Sequence, residues 1–212
     1  MPEPHGTVPV TAHTTLLASR VARWVTEVLQ PPAVVTGLLL ISPAAQPGFP
    51  ATMAYGALAA LFACVIPLLV VIVLVRLGRV TDHHVSDRHQ RAPVLVMALG
   101  SIFAGLAVLA GLGAPVSVVA MVLTVVGGVA VIAAVSPFWK ISGHAAAVSC
   151  AVVVTLLMLG QAWLPLLILV PVVGWSRVFL RAHTVPQVVA GSLFGGVVMA
   201  GAWWLLQLWL VA

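Results

Sequence analysis

Long apolar stretches alternate with short polar ones along this chain, and the two kinds barely mix. Residues 52–75, 92–112, 115–138 and 184–212 contain no Lys, Arg, Asp or Glu. Each is long enough to cross a bilayer, which takes about 20 apolar residues. Two shorter runs, 143–159 and 162–175, fit as spans when packed among the others. None shows the strand-like alternation of a transmembrane barrel, so helices are predicted throughout.

The N-terminal part has a different pattern. Residues 1–13 lack the charged start, short apolar core and cleavage site of a signal peptide. From 16 to 30, Leu17, Val21, Trp24, Val25 and Val28 fall on one helical face. Arg20, Arg23, Glu27 and Gln30 fall on the other, which predicts an amphipathic helix lying at the headgroups. Residues 32–46 follow as a short apolar segment between Pro32 and Pro47, either a tight span or a re-entrant piece. The expected fold is all-α: a polytopic transmembrane bundle with a six-helix core, plus this amphipathic helix and short segment. A tail and helix over 1–31 would precede one membrane domain over 32–212.

Composition supports a membrane protein. Hydrophobic residues make up 62% and charged residues 6%, against about 25% charged in soluble domains. The net charge of +5 reads as basic loops that set topology or meet anionic lipid, not as nucleic-acid binding. Cys64 and Cys150 both lie inside apolar runs, where free cysteine acts as a small hydrophobe.

After residue 30 the charges gather in three loops: 76–91 ("RLGRVTDHHVSDRHQR"), 139–146 ("WKISGHAA") and 175–187 ("WSRVFLRAHTVPQ"). Two apolar runs separate each loop from the next, so all three return to one membrane face. The opposite connections, around 47–51, 113–114 and 160–161, carry no charge. Arg76, Arg79, Arg88, Arg91, Lys140, Arg177, Arg181, His144 and His183 thus share one end of the bundle. Such a cluster is costly through self-repulsion unless an anion is held there. Arg76 and Arg79, flanking a span, are accounted for by topology alone.

The loop chemistry points to phosphate. Ser142 and Gly143 open a helix whose free N–H groups suit a phosphoryl group, and glycine permits close backbone approach. His144 sits on the first turn, placed to pass a proton. Arg177 offers a planar fork for phosphate oxygens. His183 precedes the last helix, with Gln187 four residues on and able to hold its ring. Two histidines and several arginines, without a carboxylate-rich cluster, fit metal-free phosphoryl transfer. His83, His84 and His89 read as solvated loop residues. Asp82 and Asp87 read as partners of Arg88 or Arg91. Trp203, Trp204 and Trp209 read as an interfacial aromatic anchor, and Gly191, Gly195 and Gly196 as helix-packing contacts. No cofactor is implied.

These residues resemble the type 2 phosphatidic-acid phosphatase superfamily of membrane lipid phosphatases. Its motifs are K-x6-RP, PSGH and SR-x5-H-x3-D. Ser176, Arg177 and His183 match the third at its spacing, and Ser142, Gly143 and His144 match the second; the three motifs span 84–187. The resemblance implies a six-helix core. His183 would be the nucleophile forming a phosphohistidine, and His144 the general acid. Ser142, Gly143, Arg177 and Arg91 would bind the phosphoryl oxygens. The pattern departs in three places. Ile141, preceded by Lys140, replaces the motif proline. His84 replaces the lysine, and Ala92 intervenes before Pro93. Gln187 replaces the aspartate that orients the nucleophile. Arg88, one turn before Arg91, can supply the missing cation together with Lys140. Smaller members of the family carry S-D-R-x-x-R and H-T-x-x-Q loops, the forms found here at 86–91 and 183–187.

The function expected from this resemblance is hydrolysis of a lipid phosphate. A polyprenyl phosphate or diphosphate is preferred as substrate, with the phosphatidic-acid type close behind. A phosphotransferase, or a diphosphate-ionising lyase or cyclase, would reuse the same cradle. A lipid or anion transporter would need polar residues at mid-membrane, and the spans nearly lack them. The nine Lys and Arg residues collect on one face if 32–46 crosses the membrane. The site would then face the cytoplasm of the cell membrane.

Overall fold

The computed structural model describes residues 10–80 and 88–211, without the side chains of 10–15, 88–93, 95 and 211. The sequence candidates His83, His84, Asp82 and Asp87 lie outside the described residues, as do the side chains of Arg88, His89 and Arg91. All regular structure among the described residues is helical, as expected of an all-α polytopic protein.

The helices are α1 (Val10–Val28), α2 (Pro31–Ile41), α3 (Met53–Ala60), α4 (Ile66–Arg76), α5 (Arg88–Gly111), α6 (Val116–Val135), α7 (Gly143–Leu159), α8 (Leu169–Phe179), α9 (Val185–Leu193) and α10 (Ala200–Val211). Several of these are parts of one span. A π-helical turn, Leu61–Val65, joins α3 to α4 just before Pro67. Proline lacks the N–H that would continue the regular ladder, and the wider turn absorbs the break. The 3₁₀ segment Gln161–Ile168, which contains Pro165, leads into α8. A second π turn, Phe194–Met199, joins α9 to α10. Among the described residues four helices are long and apolar enough to cross a membrane: Met53–Arg76, Val116–Val135, Gln161–Phe179 and Val185–Leu210. The shorter apolar helices Val96–Gly111 and Gly143–Leu159 complete the six runs of the sequence.

Hydrogen bonds define the two ends of the bundle. At one end the Tyr55 hydroxyl donates to the Leu112 carbonyl (3.3 Å), and Ser117 N–H donates to Gln46 Oε1 (3.3 Å). At the other end Ser142 N–H donates to the Gln187 carbonyl (3.2 Å). Residues 31–46 run between these ends. Pro31 and Gly143 line one cavity, and Gln46 caps the far side. The short segment is α2 followed by the 3₁₀ turn Ser42–Ala45, and it packs on α3, where the Leu39 carbonyl lies against Gly56.

Helix α7 occupies the centre. Ala145 to Cys150, Val152, Val154 and Thr155 are all buried, so a helix of 17 residues suffices because protein, not lipid, surrounds it. Its neighbour is the α9 span. A Cβ at Gly191 would stand 2.5 Å from the Ser142 carbonyl oxygen, and one at Gly195 would overlap the Ala146 carbonyl. Glycine at these two positions lets the helix backbones touch. Gly196 is less constrained, since a Cβ there meets only ordinary contacts at 3.5–3.9 Å.

One reading needs correction. Trp203 is not part of an interfacial anchor: it is 1% exposed in the main core with Met121, Leu109 and Leu39, while Trp204 and Trp209 are exposed. An indole among apolar runs can face either way, and periodicity alone did not separate them. Helix α1 leaves Leu17, Val21, Trp24 and Val28 of its apolar face exposed, as a lipid-facing surface, while Val25 of the same face is buried. It packs on α8 through a narrower stripe, Ala22, Val25 and Thr26. The larger residues are left to face lipid. The axes of α1 and α2 differ by 43°.

The close approach at Gly195 makes a direct prediction. Gly195→Ala should lower the thermal stability of the purified protein by about 1–3 kcal/mol through overpacking, and Gly196→Ala should be nearly neutral. Thermal melts in detergent compare the two; equal effects would contradict the backbone contact.

Candidate active site

Two helix starts and one helix end meet at the charged face. Ser142 caps α7: it has an extended backbone, and its Oγ accepts from Ala145 N–H (3.4 Å). Its own N–H is bound to the Gln187 carbonyl and it is fully buried, so the start of α7 is fixed against the first turn of α9. Gly143 follows with open space where a side chain would be. His144, half-buried, stands on the first turn.

The third loop folds tightly. Helix α8 ends at Phe179, and the Arg177 carbonyl accepts from both Ala182 N–H (3.0 Å) and His183 N–H (3.2 Å). Arg181 takes a left-handed backbone (φ 52°), which lets the chain reverse within a few residues. Lys140 reaches across from the second loop, its Nζ donating to the Ala182 carbonyl (3.1 Å). These bonds bring Lys140, Ser142, Gly143, Arg177, His183 and Gln187 together, with His144 one residue beyond Gly143.

His183 is a half-buried imidazole among cations. Burial holds its titration below the ordinary value near 6.5, and the charges of Lys140 and Arg177 push the same way. The Gln187 side chain and the Lys140 backbone lie near enough to favour the protonated ring, but they do not outweigh the other three. Nδ1 is buried without a partner of hydrogen-bonding geometry. Gln187 Oε1 accepts from Thr184 N–H (3.1 Å) in a capping box at the start of α9. Gln187 is thus first a helix cap, and only secondarily a neighbour of the imidazole.

One participant has no signal in the motifs. Thr26 of α1 is buried beside the α8 end. Its Oγ1 accepts from Arg177 Nη1 (3.4 Å) and lies 3.3 Å from Ser176 Oγ. Ser176 in turn donates to the Val173 carbonyl (2.8 Å). Thr26 falls between the polar and apolar faces of α1, where a sequence pattern singles nothing out.

Residues 126–210 match the family model of the PAP2 superfamily. This part of the chain, 85 of the 212 residues, is similar to that superfamily. PAP2 members are generally phosphatases, lipid phosphatases among them. The PAP2 segment contains Lys140, Ser142, Gly143, His144, Arg177, His183 and Gln187; α1 and the 76–91 loop lie outside it. No characterised protein sequence and no solved structure matches the chain. Among the described residues no three His, Cys, Asp or Glu side chains group as metal ligands.

The charge environment of His183 is measurable. Histidine NMR should place its titration below 6.5, and Lys140→Met should move it upward by removing one of the three lowering influences. A parent value above 6.5, or a fall in the variant, would contradict this electrostatic picture.

Proposed function

We propose that the protein is an integral membrane phosphatase that removes phosphate from a lipid through a phosphohistidine on His183. The carrying observation is the meeting of a buried helix start (Ser142, Gly143), a neutral-tending imidazole (His183) and the cations Arg177 and Lys140 at one end of the bundle. Amide N–H groups and a guanidinium suit the equatorial oxygens of a phosphoryl group. A histidine kept neutral near pH 7 has a free lone pair for attack on phosphorus.

In the proposed reaction an imidazole nitrogen of His183 forms a bond to phosphorus as the P–O bond to the lipid breaks. His144 gives a proton to the departing oxygen. Water then attacks the phosphohistidine, passing a proton to His144, and inorganic phosphate leaves with His183 restored. Arg177, Lys140, Ser142 and Gly143, with Arg88 and Arg91 from the α5 start, would hold the phosphoryl oxygens. No carboxylate or metal ion is needed for charge balance, because the cradle is itself cationic.

A lipid substrate is supported by the cavities beside the cradle. One of about 100 Å³ begins at Gly143 and runs between α2, α6 and α7 past Val35, Val125 and Cys150. A second, of about 290 Å³, shares Pro31, Val35, Val125 and Val129 and continues between α4 and α5. Their linings are apolar, as a hydrocarbon chain requires. Within this class a polyprenyl phosphate or diphosphate is the preferred reading, ahead of phosphatidic acid.

The test is phosphate release from a panel of lipid phosphates by purified protein with EDTA present. Release should persist in EDTA, and His183→Ala should abolish it, by at least about a thousandfold. His144→Ala should be severe on monophosphates and milder on diphosphates, whose leaving group needs less protonation. Near-parental release by His183→Ala would remove the nucleophile assignment, and strict magnesium dependence would redirect attention to Asp82 and Asp87.

We also propose that this face is cytoplasmic. Arg20, Arg23, Arg76 and Arg79 are not needed for the chemistry, yet they lie toward the same end as the cradle. Single cysteines replacing Phe138 (89% exposed) and Gln161, in a background lacking Cys64 and Cys150, report the sidedness. An impermeant thiol reagent on intact cells should label position 161 alone; labelling at 138 alone would reverse the assignment.

A further inference from the structure

Arg177 Nη1 is committed to Thr26, a residue of the N-terminal helix and outside the segment that matches PAP2. Nε of the same guanidinium is buried with no hydrogen-bond partner. An unsatisfied buried N–H of a charged group is expensive, and such groups persist where a ligand completes them. A guanidinium binds an oxyanion side-on through adjacent N–H groups, so fixing Nη1 on one side settles which edge remains for the anion.

The surroundings reinforce the hold. Thr26 is 8% exposed, and its Oγ1 sits 3.3 Å from Ser176 Oγ, which is bound to the α8 backbone. The acceptor is thus tied to the helix that carries Arg177. Glu27, next in sequence, lies near enough to attract the guanidinium. Ala22 and Val25 bury the neighbouring turn of α1 against α8. A flexible arginine chain would otherwise sample several rotamers, each loss of freedom falling on substrate binding.

We infer that α1 is a working part of the active site, with Thr26 a positioning residue that clamps Arg177 Nη1 and turns the Nε edge toward the phosphoryl group. The inference rests on the phosphatase reading above and extends it to a helix that reads, in sequence, only as an interfacial anchor. It also accounts for the burial of Thr26 beside Ala22 and Val25 on the α8 side of α1.

The experiment compares Thr26→Val, nearly isosteric but without an acceptor, with Thr26→Ser, which keeps the hydroxyl. Thr26→Ala is run alongside in case valine disturbs folding, and thermal melts check each variant. Orthovanadate inhibition of the full-length protein reads the phosphoryl-binding edge. Thr26→Val and Thr26→Ala should weaken vanadate by about tenfold, while Thr26→Ser stays within about twofold of the parent. In an Arg177→Lys background, Thr26→Val should have no further effect, because its influence runs through the guanidinium. Parental vanadate affinity in Thr26→Val, equal losses in valine and serine variants, or additivity with Arg177→Lys would each overturn the clamp. A parent protein that neither releases phosphate nor binds vanadate would instead overturn the phosphatase reading, and the clamp with it.

Discussion

The backbone seam between α7 and α9 is the constraint on which the site depends. Ser142 gives its N–H to the Gln187 carbonyl, and Gly191 and Gly195 bring the second helix against the Ser142 and Ala146 carbonyls. Without hydrophobic drive in lipid, helices associate by close packing and by hydrogen bonds. Here that close packing runs beside the candidate site. The seam fixes the start of α7, and with it His144, relative to the loop that carries His183. A side chain at Gly195 would push the two motif loops apart, so a packing residue deep in the span controls geometry at the surface.

Around that seam two cations stand close to His183. Lys140 and Arg177 both disfavour a proton on His183, and burial adds to them. The carbonyls of Arg177 and Ala182 hold the loop. In the proposed reaction an incoming phosphoryl group neutralises these cations, which otherwise repel one another. The Gln187 cap is consistent with this arrangement: it is neutral, serves the start of α9, and leaves the imidazole to be tuned by cations and burial. In the aspartate form of the motif, a carboxylate would stabilise the imidazolium instead.

Much of this was legible in the sequence. The uncharged runs matched the apolar helices, and the parity of crossings brought the 139–146 and 175–187 loops to one end, because charge is confined to few positions in a chain only 6% charged. Ser142, Gly143, His144, Arg177 and His183 stood out for the same reason. What escaped was orientation. Trp203 and Trp209 look alike in a run of apolar residues, yet one is core and the other exposed. Thr26 escaped too, since a single hydroxyl between two helix faces gains meaning only from Arg177, 151 positions away. Arg88 and Arg91 keep the status that the motif resemblance gives them.

The proposed covalent step on His183 is the one most open to direct test. Purified protein mixed with a radiolabelled or isotopically marked lipid phosphate, quenched in alkali within the first turnover, should carry one phosphoryl group on the peptide containing His183. The label should be stable to alkali, lost in acid, and absent in His183→Ala. Turnover without any trapped phosphoryl group, even when His144→Ala is used to slow hydrolysis of the intermediate, or a label on a different residue, would contradict nucleophilic catalysis by His183.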